Sequence, residues 1–181
     1  MTEMTEREMG NPQVTQTDLA WLAGIWDGEG HFSIRRTLQG NGKKGPQYSP
    51  RVGVTNSNVQ ILTRVRQILN ALDVSYYFRE KGDGGFPGSD RQCWVISVET
   101  MVNAVKVITH VRPYLIGKGF QADCILEYCN RRMVHLKRVG GNERRKYTER
   151  DFELVRLVYE ANGDIRGTSE TIREDAQRAM I

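Results

Sequence analysis

At 181 residues the chain is long enough for one domain with a sizeable core, and it has no run of 18 apolar residues to cross a membrane. Its three cysteines, Cys93, Cys124 and Cys129, are odd in number and form no CxxC, which argues against a disulfide framework or a zinc site and for reduced, buried thiols. The net charge of +4 conceals a segregation: residues 1–30 carry −5, residues 31–150 carry +12 and residues 151–181 carry −3, so the basic middle points to a polyanionic partner.

The opening MTEMTEREMG is polar and lacks an apolar signal core. An intracellular protein, cytoplasmic or organellar, is therefore expected, with residues 1–15 as a flexible tail. Thr17 or Asp18 is the expected cap of a helix carrying Leu19, Trp21, Leu22, Ile25 and Trp26. After Gly30 the period changes to two. Phe32, Ile34 and Leu38 alternate with His31, Ser33, Arg35 and Thr37, and Tyr48, Val52 and Val54 alternate with Gln47, Ser49, Arg51, Gly53 and Thr55. Both segments read as strands with one apolar and one polar face, joined by QGNGKKG. That linker matches GxGxxG only formally, because it opens no helix, so it is not read as a nucleotide site.

Ser57 or Asn58 caps the next helix, in which Ile61, Leu62, Val65, Ile68, Leu69 and Leu72 recur at helical spacing. SYYFREK and RQCWVISVE read as two further strands around the turn GDGGFPGSD. MVNAVKVITHV and FQADCILEYCNRRM read as helices, the first ending before Pro113. The polar loop KRVGGNERRK, a basic loop suited to phosphates, leads to a helix capped at Thr148 and a last one capped near Thr168. His110 and His135 have no ligand partner at metal spacing. The expected fold class is α+β, with the order α-β-β-α-β-β-α, one antiparallel sheet and C-terminal helices over 148–181, in a single domain of residues 1–181.

Alternation places Arg35, Arg51, Arg79, Lys81 and Arg91 on the outer sheet face, with His31, Ser33, Thr37, Gln47, Ser49, Tyr77, Cys93, Val95 and Ser97. That face reads as almost free of acid, which favours double-stranded DNA, since a two-stranded ribbon fits the major groove.

The stretch LAGIWDGEG, residues 22–30, is the most informative. Ala20, Gly24 and Gly28 lie at i, i+4 and i+8, so they line one helix face, and an interior glycine costs about 1 kcal/mol relative to alanine. Such a stripe makes sense where another backbone comes close. Glu29 falls at the helix end, beside unpaired carbonyls and the negative pole of the helix dipole, where a carboxylate is misplaced unless a cation joins it. The Gly28 carbonyl can serve the same cation, and hard oxygen donors completed by water and phosphate describe magnesium. Lys118, flanked by Gly117 and Gly119, sits where the backbone can bend to aim its ammonium inward.

These nine residues resemble the signature of the LAGLIDADG homing endonucleases: Leu22, Ala23, Gly24, Asp27 and Gly30 are identical, and Glu29 replaces the second aspartate. VRPYLIGKGFQA is similar to the family segment bearing an active-site lysine, here Lys118; TNSNVQ is similar to the segment supplying polar pocket residues, here Asn56 and Gln60; RGTSETIRE is similar to a C-terminal segment of single-motif members. The resemblance implies the family's saddle-shaped antiparallel sheet. With one signature copy, it also implies a symmetric homodimer with Ala20, Ala23, Gly24 and Asp27 at the interface. The implied reaction is hydrolysis of one phosphodiester per strand of a long pseudo-palindromic DNA site, which promotes mobility of a host intron or intein. Glu29 and Gly28 would hold Mg2+, which Mn2+ can replace, while Lys118 stabilises developing charge and Gln60 and Asn56 position water. Asp27 is given a structural role at the helix end. Two rival readings use the same fold: an RNA maturase that binds host intron RNA, and a DNA-binding regulator without cleavage.

Overall fold

Thr15, not Thr17 or Asp18, starts the first helix. Its hydroxyl accepts the N–H of Asp18 while the Asp18 carboxylate accepts the N–H of Thr15, a reciprocal capping box that satisfies two orphan donors. This cap and the packing of Val14 on the core tie down residues assigned to the tail. The computed structural model describes residues 13–38, 46–81, 92–138, 146–164 and 168–179.

The elements run α1 (Gln16–Glu29), β1 (Gly30–Leu38), β2 (Pro46–Asn56), α2 (Val59–Ala71), β3 (Tyr77–Lys81), β4 (Cys93–Val98), α3 (Met101–Val111), a single 3-10 turn Arg112–Tyr114, α4 (Gly119–Arg138), α5 (Glu149–Ala161) and α6 (Thr168–Ala179). The order is the expected one. The sheet is antiparallel throughout, with strand order β1-β2-β4-β3. Asn58 caps α2 by accepting the N–H groups of Gln60 and Ile61, and Thr148 caps α5 in a second capping box with Asp151. Ahead of α6, the Asp164 carboxylate accepts the N–H groups of Thr168 and Ser169.

One sheet face is covered by the helices. Phe32, Ile34, Tyr48, Val52, Val54, Ile96 and Val98 meet Leu22 and Trp26 of α1 and the buried faces of the other helices in one core. Leu38 keeps the alternation of the inner face but, at the end of β1, is 57% exposed. Cys124 and Cys129 are buried, and burial raises both thiols above their ordinary range.

The pairing register leaves part of the sheet thin. β1 pairs with β2 from Gly30↔Val54 to Leu38↔Pro46, whereas β4 pairs with β2 only over Val52–Asn56. Beyond Arg51 the β1–β2 hairpin is therefore a two-stranded ribbon. Gly53 sits where the sheet begins: a Cβ there would lie 2.1 Å from the Ile96 carbonyl oxygen and 3.1 Å from the His31 ring, so only glycine permits this approach.

Candidate nuclease site and nucleic-acid face

α1 presents two unlike faces. Leu22, Ala23 and Trp26 point inward and are wholly buried. Ala20, Gly24 and Gly28 are exposed, and a Cβ added at Gly24 or Gly28 would meet nothing within 4 Å. Trp21, not singled out from sequence as a surface residue, is 36% exposed in the same helix. Ala23, also expected at the subunit interface, is wholly buried within one protomer. Its methyl group packs into the core of its own protomer.

The end of α1 gathers three of the four expected catalytic residues. The Asn56 side-chain amide donates to Glu29, while its own carbonyl oxygen accepts the N–H of Asn58 at 2.7 Å. With its oxygen occupied by the backbone, the amide must present its N–H group to the carboxylate. The Lys118 ammonium reaches the same helix end and donates to the carbonyls of Trp26 at 2.8 Å and Gly30 at 2.6 Å. It supplies the positive charge that a helix C-terminus favours. Burial lowers the Lys118 pKa and the Asp27 charge opposes that shift. Gln60 is exposed in the first turn of α2, and its side chain makes no hydrogen bond to Glu29, Asn56 or Lys118.

Asp27 faces its own chain. Its carboxylate accepts the N–H of Ile116 at 2.7 Å and of Lys118 at 2.9 Å, which fixes the turn that aims the lysine. Burial pushes its pKa up, but the N–H groups of Ile116, Lys118 and Gly117 outweigh burial and hold the carboxyl below its ordinary range.

The outer sheet face follows directly from the register. His31↔Gly53, Ser33↔Arg51, Arg35↔Ser49 and Thr37↔Gln47 are cross-strand partners, as are Tyr77↔Ser97, Arg79↔Val95 and Lys81↔Cys93. Among the described residues, Arg35, Arg79 and Lys81 are exposed and make no ion pair. A concavity of about 410 Å³, lined by His31, Arg51, Thr55, Arg79 and Lys81 among others, opens on this side. Ser33 and Thr37 turn their hydroxyls to the carbonyls of Arg51 and Gln47. Arg91 and residues 39–45, 82–90 and 139–145 lie outside the described residues.

The structure adds three details to this face. Val95 and Ser97 are only 4% and 1% exposed, on the interior strand β4, so they form its floor. The face also has an acid: Glu99, just past β4, lies 3.7 Å from Arg51 Nε and accepts the Ser97 hydroxyl at 2.9 Å. Strand alternation carried two residues further would have placed it there. His31 is largely buried, with Nε2 unbonded; burial first, then the charges of Arg51 and Lys118, lower its pKa to about 4, so the imidazole is neutral at pH 7.

A mixed α+β chain with a four-stranded antiparallel sheet, and a carboxylate at the end of a glycine-striped helix feeding directly into it, has the fold of the LAGLIDADG homing endonucleases. The chain belongs to the LAGLIDADG-like domain family, which it matches over residues 16–150. Among solved structures it is similar to the homing endonuclease I-CvuI in complex with a DNA target in the presence of Mg (19% identity, 92% of this chain and 96% of that one, TM-score 0.64). It is similar also to the archaeal intron-encoded homing endonuclease I-Vdi141I complexed with DNA (18%, 90% and 96%, TM-score 0.65). I-SmaMI, a LAGLIDADG homing endonuclease bound to cleaved DNA, aligns at 15% identity with 90% of this chain but only 48% of its own (TM-score 0.60). No curated protein matches the chain in sequence.

Proposed function

We propose that the protein is a homodimeric, site-specific DNA endonuclease that hydrolyses one phosphodiester in each strand of a long, imperfectly palindromic duplex, promoting mobility of a host intron or intein. The observation that carries this is the convergence of Glu29, Asn56 and Lys118 on one helix end, next to a strand face bearing the exposed Arg35, Arg79 and Lys81.

The donors at that helix end suit a hard divalent cation. Glu29 offers an exposed carboxylate held by Asn56, and Lys118 takes the carbonyls of Trp26 and Gly30 while leaving that of Gly28. A second copy would bring a second Glu29 carboxylate to the same place. Magnesium bound there would supply water activation and neutralise charge at the scissile phosphate. Asn56 fixes the Glu29 carboxylate. Lys118, already held in place before substrate arrives, stabilises negative charge that develops on the phosphoryl oxygens. Gln60 is assigned to positioning water. Arg35, Arg79 and Lys81 take DNA phosphates or base edges from the ribbon face.

The exposed Ala20–Gly24–Gly28 stripe suits close approach of a second α1, which would set the two Glu29 side chains side by side. The alignment of this chain with about half of I-SmaMI agrees with two copies making one enzyme. C2 symmetry then gives the target matching half-sites.

Sites selected from a randomised duplex library with magnesium provide the substrate for the test. Glu29→Gln is expected to abolish cleavage while leaving duplex binding within about threefold, since the lost charge acts on the reaction. A mutant that cuts at near the parental rate would remove Glu29 from the site. Gly24→Leu is expected to turn the dimer into a monomer by light scattering, and a parental protein that is monomeric both free and on DNA would refute the homodimer.

A further inference from the structure

The β1–β2 ribbon is unsupported by a third strand beyond Arg51, and its inner face there is not simply apolar. Arg36 and Tyr48 are direct cross-strand partners. Both converge on Asp175 of α6: the Arg36 guanidinium donates two hydrogen bonds, at 2.7 and 3.0 Å, and the Tyr48 hydroxyl donates a third. Asp175 is 5% exposed, and Tyr48 is held further by Tyr147, whose hydroxyl accepts its N–H at 3.0 Å, and by Tyr128, whose hydroxyl donates to its carbonyl at 2.9 Å. Burial alone would raise the Asp175 pKa, but Arg36 and Tyr48 outweigh it and keep the carboxyl below its ordinary range.

The pairs flanking Arg36↔Tyr48 are Arg35↔Ser49 and Thr37↔Gln47, four residues of the outward face. A side chain gripped on one face of a strand fixes the rotation of its neighbours on the other, since successive residues alternate. Aliphatic contacts tolerate small slides and twists, and a two-stranded ribbon is free to twist. A bidentate guanidinium–carboxylate fork tolerates neither, because its hydrogen bonds are directional. A buried ion pair is also a poor choice for stability alone, since apolar replacements of similar volume are often as stable or more so. Asp175 lies beyond residues 16–150, which match the family.

The geometry points to Asp175 as a positioning residue for sequence specificity: α6 clamps Arg36 and Tyr48 from beneath, and so sets how Arg35, Thr37, Gln47 and Ser49 meet the outer base pairs of each half-site. This rests on the endonuclease reading. The test is the base preference at every target position, measured by selection from a randomised duplex library for three proteins. They are the parent, Asp175→Asn, and the apolar replacement Arg36→Met/Tyr48→Phe/Asp175→Leu, with melting temperatures recorded alongside.

Both variants are expected to lose about tenfold in discrimination at the outer positions of each half-site, equivalent to one mismatched base pair. Preference at the inner positions and the cleavage rate on the best site should stay within about threefold of the parent, since those depend on the four-stranded part of the sheet and on α1. The apolar variant separates orientation from stability, because it keeps the core filled. An apolar variant with parental melting temperature and unchanged outer preference would overturn the clamp, as would a loss spread evenly over all positions in either variant. A parental protein that selects no duplex sequence would instead overturn the endonuclease reading, and the clamp with it.

Discussion

Arg35 and Arg36 are neighbours in one strand, and they occupy opposite physical worlds. Arg35 lies on the outer face, exposed and without an ion pair among the described residues; Arg36 lies on the inner face, half-buried and bonded twice to a buried carboxylate. The outer face keeps Arg79 and Lys81 in the same state as Arg35, while the Arg36–Tyr48–Asp175 cluster sits on the inner face at the edge of the apolar core. The contrast teaches that a count of basic residues says little about available charge. An arginine whose charge is already answered by a partner steadies the scaffold, and one whose charge is left open can attract a polyanion.

Lys118 combines features of both faces and gives the largest expected effect. It is half-buried like Arg36, yet its ammonium rests on two neutral carbonyls, so its charge is positioned without being cancelled. Lys118→Met is expected to slow single-turnover cleavage by about 10²-fold or more, roughly 3 kcal/mol, with little change in binding of uncut duplex. Equal losses in rate and binding would make Lys118 a phosphate contact like those expected of the outer face.

The inner arginine comes next. Arg36→Met strands the Asp175 carboxylate, and a loss of about 2–4 kcal/mol in unfolding free energy is expected from urea titration at fixed protein concentration. Arg35→Ala should change stability by only about 0.5 kcal/mol or less, because its side chain is exposed and makes no ion pair among the described residues. It should instead weaken duplex binding, by about 1–3 kcal/mol with relaxed preference at one position if it reads a base, or with a flatter salt dependence if it holds a phosphate. Equal destabilisation by the two changes, or intact DNA binding by Arg35→Ala, would erase the distinction between the faces.

Much of this was legible along the chain because strand and helix periods are local. Alternation from His31 to Thr37 and from Gln47 to Arg51 assigns residues to faces without any knowledge of what the faces touch. The signature glycines marked the exposed stripe of α1 for the same reason. The first cap was misjudged by two or three residues because Thr15, Thr17 and Asp18 all suit the role, and only the reciprocal bond with Asp18 decides among them. Ala23 was assigned to the interface by its place in the signature, whereas its burial is set by which side of α1 the core occupies.

By itself, the sequence determined the element order, the two-faced sheet, the family signature and the candidate acid and lysine, since each is carried by residue type and short-range spacing. Only the tertiary structure decided which charges are answered. Lys118 finds the carbonyls of Gly30 and Trp26 from 88 and 92 residues away, and Arg36 finds Asp175 across 139. Glu99 meets Arg51 because two strands distant in the chain lie side by side in the sheet. Such pairings depend on chain paths that loops and core close in three dimensions, and no local period encodes them.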